Sequence, residues 1–501
     1  MSMREHLFHL DADGASSLQA QLREQIVSAI LDGELPAGAT MPSLRKLARS
    51  LGVSRNTVNA TYQQLVAEGF LKSRERSGHY VLGDVSKTPE YRPPASLEPK
   101  CRPQWGQRLA LTPSRQRNVV KAADWLAYPY PYIYNQLDLE LFPVTEWREC
   151  TRLALAADAL QHWVSDRIAE DDPLLVEQIR SRLLPRRGIH AAPDEVLVTV
   201  GAQHALYILA RLLVTQRTTV GLEDPGYADM RNIFALNTAN IVALPVDKHG
   251  LVPDERVNRC DYIYTTPSYQ FPTTGTMPLE RRRDLLERAG VAGCIVIEDD
   301  YECEVRYNNR PMPALKSLDH NGQVLYVSSL SKTLAPGLRV GYMVGPADLI
   351  REARALRRLM LRHPAANNQR TTALFLQRGH HEALLRRLTQ VFRKRWSVMA
   401  DALKRHLPDC RWQSKPGSSG FWIRCPEAID TRVLERTAMR HGILIEPGDI
   451  YFLSETPPRN YMRLAFSSAA TDRIEPGIRR LGRLMREFSQ GRSRPISQPA
   501  Q

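Results

Sequence analysis

Apolar residues near the start of the chain recur at helical spacing in three short runs. Leu18, Leu22, Ile26 and Ile30 stand four apart, one stripe of an amphipathic helix that Ser16 and Ser17 can cap and Gly33 ends. Leu44, Leu47 and Leu51 follow Pro42 and Ser43, and Gly52 stands where a left-handed residue closes a helix. Ser54 caps a third run, with Val58, Tyr62 and Leu65 turned inward, before Gly69 ends it. Two short helices separated by Gly52, Val53 and Ser54 predict a helix-turn-helix. Two brief extended runs then flank a basic turn, 73–78, and predict a hairpin wing.

Periodicity disappears between Asp84 and about Lys121, where Pro89, Pro93, Pro94, Pro99, Pro103 and Pro113 accumulate, so this stretch reads as a linker. Farther on, strand-like apolar runs alternate with amphipathic helical stretches, the pattern of an α/β domain with a mostly parallel sheet. After Phe488 the chain is rich in Ser, Pro, Arg and Gln and reads as a disordered tail. The expected organisation is a DNA-binding head over 1–83, a linker over 84–121, an α/β body over 122–488 and a tail over 489–501. No internal repeat is visible.

The length of 501 residues supports this division, because one hydrophobic core does not organise so long a chain. An apolar fraction of 43% is that of a soluble globular protein. No run approaches the roughly 20 apolar residues of a membrane span, and the first fourteen residues are too charged for a secretory leader, so a cytoplasmic protein is expected. The seven cysteines include no C-x-x-C pair, which argues for reduced thiols and against a zinc site. A net charge of +14 favours a polyanionic partner. Solvated helices such as those within 351–362 and 378–395 can also carry much of that charge.

The charge gains meaning in the first domain. The third helix places Ser54, Arg55, Asn56 and Asn59 on its outward N-terminal side, where a recognition helix meets base edges and phosphates. The wing turn adds Arg74 and Arg76 for backbone phosphate. The stretches Met41-Pro-Ser-Leu-Arg-Lys-Leu-Ala48, Leu51-Gly-Val-Ser-Arg-Asn-Thr-Val58 and Tyr62-Gln-Gln-Leu-Val-Ala-Glu-Gly-Phe-Leu71 resemble the GntR family of winged helix-turn-helix regulators. That resemblance implies DNA contacts by Arg45, Ser54, Arg55 and Asn59. The family's Gly-Ser-Gly wing tip is here Arg76-Ser77-Gly78.

In the body, Val324–Ser328 reads as a buried strand, with Ser329, Ser331 and Lys332 at its carboxyl end, where parallel sheets collect ligands. A lysine flanked by hydroxyls can form an imine with an aldehyde while the serines hold a phosphate, and Arg339 adds a fixed cation. Cys294–Ile297 predicts a second strand ending in Glu298, Asp299 and Asp300, acids that need a partner such as a protonated pyridine nitrogen. At Thr199-Val-Gly201 a strand turns into a helix whose N-terminal amides can bind phosphate. Tyr227 follows a Glu-Asp-Pro-Gly turn and can stack on a flat ring.

Together these residues resemble fold type I pyridoxal-phosphate aminotransferases, and specifically the MocR group, in which a GntR-type head is fused to an aminotransferase-like body. The resemblance covers all but the linker and tail. It implies pyridoxal 5'-phosphate on Lys332, Asp299 at the pyridine nitrogen, Tyr301 at the phenolic oxygen, and Tyr227 on the ring. Gly201, Ala202, Gln203, Ser329, Ser331 and Arg339 would line the phosphate cup, and Arg463, in Tyr461-Met-Arg-Leu-Ala-Phe466, would grip an effector carboxylate. It further implies a homodimer that binds double-stranded operator DNA. Such a regulator senses an amino compound by external aldimine formation and controls genes of amine, amino-acid or vitamin B6 metabolism. A catalytically active aminotransferase with an appended DNA-binding domain, and a regulator for which the cofactor itself is the signal, are the other readings.

The sequence departs from the family pattern in places. Pro267-Ser-Tyr269-Gln-Phe271-Pro-Thr-Thr274 carries Tyr269 in place of a histidine, and Phe271 stands about where catalytic aminotransferases have an asparagine. Asp171-Asp-Pro173-Leu-Leu175 lacks the usual glycines, and Asp229 is not the second arginine of members that respond to γ-aminobutyrate. Efficient turnover is therefore not expected.

Overall fold

The structure, a computed structural model, describes residues 8–14, 16–74, 78–82, 104–133, 138–302, 304 and 312–489. The chain separates into two compact units, 1–108 and 109–501.

In the first unit, the helices α1 (Leu18–Leu31), α2 (Leu44–Leu51) and α3 (Arg55–Ala67) are followed by an antiparallel hairpin, β1 (Leu71–Arg74) and β2 (Gly78–Val81). Each helix begins on a serine whose side chain accepts a backbone N–H: Ser17 from Ala20, Ser43 from Lys46 and Ser54 from Thr57. Gly52 closes α2 at φ 67°, a left-handed conformation that costs a side-chain-bearing residue. Leu22, Ile26, Ile30, Leu47, Val58, Tyr62 and Leu65 form the core with Leu71 and Val81 of the hairpin. The buried Tyr62 hydroxyl donates to the Pro42 carbonyl at 3.1 Å, tying the entrance of α2 to α3.

The second unit is built on a mixed, mostly parallel eight-stranded sheet. Its strands are β3 (Val196–Thr199), β4 (Val220–Asp224), β5 (Ile241–Asp247), β6 (Gly250–Leu251), β7 (Tyr262–Thr265), β8 (Ile295–Asp299), β9 (Val324–Ser329) and β10 (Gly341–Val344), in the spatial order β3-β10-β9-β8-β7-β4-β5-β6. Only β10 and β6 run against the others. Helices cover both faces, so the inner strand β9 is buried on both sides. Leu325 and Val327 pack with Leu206, Leu209 and Phe234, from α4 (Ala202–Leu213) and α5 (Ala228–Ala235). Tyr326 belongs to the opposite layer, and Val324 and Val296 pack there against Leu285 and Ala289 of α6 (Leu279–Ala292).

The C-terminal part is a smaller α+β layer. Its antiparallel sheet has the order β11 (Arg411–Gln413), β12 (Gly420–Arg424), β14 (Tyr461–Ala465), β13 (Glu446–Pro447). The 27-residue helix α7 (His380–His406) and α8 (Thr471–Ser489) cover it through Met399, Leu403, Phe421, Leu464, Ile478 and Leu481. Among the described residues no helix is long and apolar enough to cross a membrane.

One difference from the sequence reading concerns the linker. Residues 109–121 belong to the second unit. Gln116 donates to the Asn232 carbonyl, and Arg117 donates to the carbonyls of Ser454 and Asp449 at 2.9 and 2.7 Å. This stretch lacks periodicity because its polar side chains, not an apolar stripe, hold it down. Residues 84–103 and 490–501, read as linker and tail, lie outside the described residues.

Candidate functional site

All strands that end near the ligand edge of the large sheet run in the same direction, so the loops after β3, β4, β7, β8 and β9 converge. They border a cavity that opens partly to solvent. Its walls include Ala202, Gln203, Tyr227, Asp299, Tyr301, Ser329, Ser331, Lys332 and Arg339, so nine of the ten sequence-predicted cofactor residues meet there. The tenth, Gly201, has φ 78° and forms the turn into α4. A β-carbon at Gly201 would stand 2.6 Å from the Arg339 guanidinium, which itself donates to the Val200 carbonyl at 2.8 Å. The first amides of α4 therefore open beside a fixed cation, an arrangement suited to a dianion. His204 Nδ1 accepts the Val200 N–H at 3.0 Å and steadies the same turn. Burial and nearby arginines lower its pKa to about 4, so it stays neutral.

The three acids after β8 divide the work. Glu298 accepts the backbone N–H groups of Leu315 and Lys316, both at 2.8 Å. Asp300 accepts from Arg187 at 2.6 Å and from the Tyr326 hydroxyl at 2.8 Å, and the Arg187 cation helps hold its carboxyl below the usual range despite burial. Asp299, on the other side of the strand, faces the cavity. Its Oδ2 accepts the Tyr264 hydroxyl at 2.8 Å, while Oδ1 is buried without a hydrogen-bond partner among the described residues. Burial pushes its pKa up to about 7, against the Tyr264 hydrogen bond.

Burial also holds the Lys332 amine well below the normal lysine range, only partly opposed by Glu302 and Asp299 and reinforced by Lys121 and Arg463. Its Nζ lies 5.6 Å from the centre of the Tyr301 ring. The Tyr301 hydroxyl donates to the Tyr269 carbonyl at 3.0 Å, and the Tyr227 hydroxyl donates to Asp229 at 3.1 Å. Ser331 Oγ is likewise buried without a hydrogen-bond partner among the described residues.

Arg463 does not line this cavity. Its guanidinium lies 5.1 Å from the centre of the Phe271 ring and meets the Glu446 carboxylate at 3.4 Å; both side chains are buried. Phe271 lines the cavity and packs edge-to-face with Tyr227, Tyr301 and Tyr451. The glycine-poor Asp171-Asp172 segment has a structural use: Asp171 pairs with Arg354 and Arg357, and Asp172 caps the helix that begins at Pro173 and pairs with Arg370.

Sequence reasoning did not select Tyr264, Thr266, Leu206 and Pro336, which also line the cavity, or Glu446 behind it. Tyr264 sits in an apolar strand and reads as core. Glu446 lies in a two-residue strand with no motif around it. Only the packing of distant loops gives either a role.

In the first unit, Arg45, Ser54, Arg55, Asn56 and Asn59 are all exposed, on or just before α2 and α3. The Ser54 hydroxyl already accepts the Thr57 N–H at 3.0 Å as a cap. The exposed Arg74 stacks over Tyr80, 5.1 Å from its ring centre. Arg76 lies outside the described residues.

Residues 18–81 match the family described as bacterial regulatory proteins, gntR family, and residues 170–481 match aminotransferase class I and II. The HTH-type transcriptional regulator TauR of Rhodobacter capsulatus is 40% identical over 97% of this chain and 100% of its own length. The probable rhizopine catabolism regulatory protein MocR of Rhizobium meliloti is 31% identical, covering 94% of each. Among solved structures, the α-aminoadipate aminotransferase LysN of Thermus thermophilus, complexed with N-(5'-phosphopyridoxyl)-L-leucine, superposes with a TM-score of 0.70 and 25% identity, over 77% of this chain and 99% of that one. The chain therefore belongs to the MocR-type transcriptional regulators, which join a GntR-family helix-turn-helix domain to an aminotransferase class I and II domain.

Proposed function

We propose that the second unit holds pyridoxal 5'-phosphate at Lys332 and senses a small amino compound there, while the first unit of a homodimer carries the response to double-stranded operator DNA. One observation carries this reading. A lysine amine whose pKa burial lowers, a strand-end carboxylate with an open oxygen and a helix N-terminus beside an arginine all face one cavity.

The residues fit the group. The amides of Ala202 and Gln203, the hydroxyls of Ser329 and Ser331, and Arg339 would take the phosphate, Gly201 leaving the space for the turn. Asp299 Oδ1 would accept the pyridine N–H, a demand that matches its lack of a protein partner. Tyr227 would cover the ring and Tyr301 would reach the phenolic oxygen. When bound, the group supplies an electrophilic aldehyde carbon that condenses reversibly with primary amines.

This chain's own part is to bury Lys332 so that its amine gives up its proton more readily than an exposed lysine, to exclude water with Phe271, Tyr227 and Tyr301, and to keep a buried arginine, Arg463, for an acidic effector group. Ligand binding shifts the regulator between states only by its differential affinity for them. Arg45, Arg55, Asn56, Asn59 and the wing residues Arg74 and Arg76 would meet duplex DNA, with Ser54 at the helix start, and two heads on a dimer would read two half-sites.

The test is optical. Protein incubated with pyridoxal 5'-phosphate and desalted should be yellow, lose the colour on borohydride treatment, and carry the reduced cofactor on Lys332 by mass mapping. Lys332→Ala should stay colourless. A colourless wild type, or a yellow Lys332→Ala, overturns the reading.

A further inference from the structure

The first residues of the second unit, a strap over 109–121, run along the wall of the proposed sensor site. Arg117 and Asn118 are clamped by α5: Arg231 donates to the Arg117 carbonyl at 2.7 Å, and Asn232 donates to that carbonyl at 3.2 Å and to the Asn118 side chain at 3.0 Å. Val119 packs against the cluster of Phe271, Trp422, Ile450 and Tyr451, with Tyr227 and Tyr301 on its border. Lys121 then lines a second cavity, of about 480 Å³ of empty space, with Glu446, Ile450 and Tyr451. The two cavities share a wall, because Phe271 and Tyr451 meet edge-to-face at 5.0 Å.

Glu446 is the centre of this second cavity's chemistry. It meets Arg463 at 3.4 Å and accepts the Tyr451 hydroxyl at 3.5 Å. Lys121 feels the same groups: burial lowers its pKa, Glu446 raises it, Arg463 lowers it and Asp229 raises it. Arg463, the cation proposed for an incoming acid, is thus already matched by a resident carboxylate, and Lys121, on the strap of residues 109–121, shares a cavity with that carboxylate.

We propose that Lys121 determines effector specificity and passes site occupancy to the strap: the acidic group of an amino-acid-type effector pairs with Arg463 and Lys121 in competition with Glu446, and Lys121 reseats residues 116–121. The proposal rests on the reading of Lys332 given above. A buried, doubly paired acid binds more tightly than its uncharged counterpart because both cations are already desolvated and held.

The experiment uses the full-length, cofactor-loaded protein, with L-alanine and β-alanine as acidic probes and ethylamine, the amine either leaves on losing its carboxylate. In wild type the acids should perturb the yellow absorbance at concentrations about tenfold below ethylamine. Lys121→Met should bring acids and amine close to parity, Lys121→Arg should restore the preference, and Glu446→Gln should strengthen the acids about tenfold by removing their competitor. Hydrogen exchange supplies the second readout: amides of 116–121 should change protection when an acid is added to wild type, and not in Lys121→Met. Absence of an acid preference in wild type, its persistence in Lys121→Met, or unchanged exchange in the strap overturns the proposal. Failure of any form to become yellow instead faults the reading of Lys332.

Discussion

Asp299 and its two neighbours differ only in what surrounds them. Alternation along β8 and its exit sends Glu298 and Asp300 into contacts with backbone amides and with Arg187, which hold scaffold together, and leaves Asp299 to the cavity. Its carboxyl, pushed up to about 7 by burial, lies above the roughly 3.9 of an exposed aspartate. The folded, cofactor-free protein therefore holds a proton that the unfolded chain releases, and its stability falls as pH rises from about 4 through about 7. Asp299→Asn should flatten part of that slope in melting temperature against pH, Glu298, also raised by burial, keeping a remainder. The same change should weaken pyridoxal 5'-phosphate about tenfold, by titration, because the pyridine N–H loses an ionised acceptor. Identical slopes in both proteins would mean that Asp299 is ionised throughout.

Two glycine turns show what an element's end demands. Gly201 and Gly52 share positive φ, yet their surroundings differ: Gly201 lies against Arg339, whereas nothing stands within 4 Å of a β-carbon built at Gly52. Gly52→Ala should cost only backbone strain, about 1 kcal/mol, and act on the first unit. Gly201→Ala should cost about 1–2 kcal/mol from strain alone and also displace Arg339 from the cavity. Chemical denaturation and cofactor titration separate the two effects: Gly52→Ala should leave cofactor affinity unchanged and Gly201→Ala should lower it. The helices of the first unit were legible because capping and four-residue spacing act within one turn. The ordered strap at 109–121 was not, because its partners lie as far away as Asp449 and Ser454.

At the scale of the whole molecule, two units with separate cores imply two cooperative transitions. Calorimetry should show a smaller transition unmoved by pyridoxal 5'-phosphate and a larger one that rises with its concentration, as binding to the folded state requires. A single transition moving as one would contradict independent cores. By itself the sequence determined the family, the helix-turn-helix and the alternating α/β pattern, and it picked out the residues proposed for the cofactor, because caps, periodicity and short motifs are local physical signals. Only the tertiary structure decided what holds Glu298 and Asp300 away from the cavity, that Arg463 is matched by Glu446, and that Lys121 lines one cavity with Glu446. Burial and Coulomb interaction depend on neighbours that packing brings together, and no spacing along a chain encodes those distances.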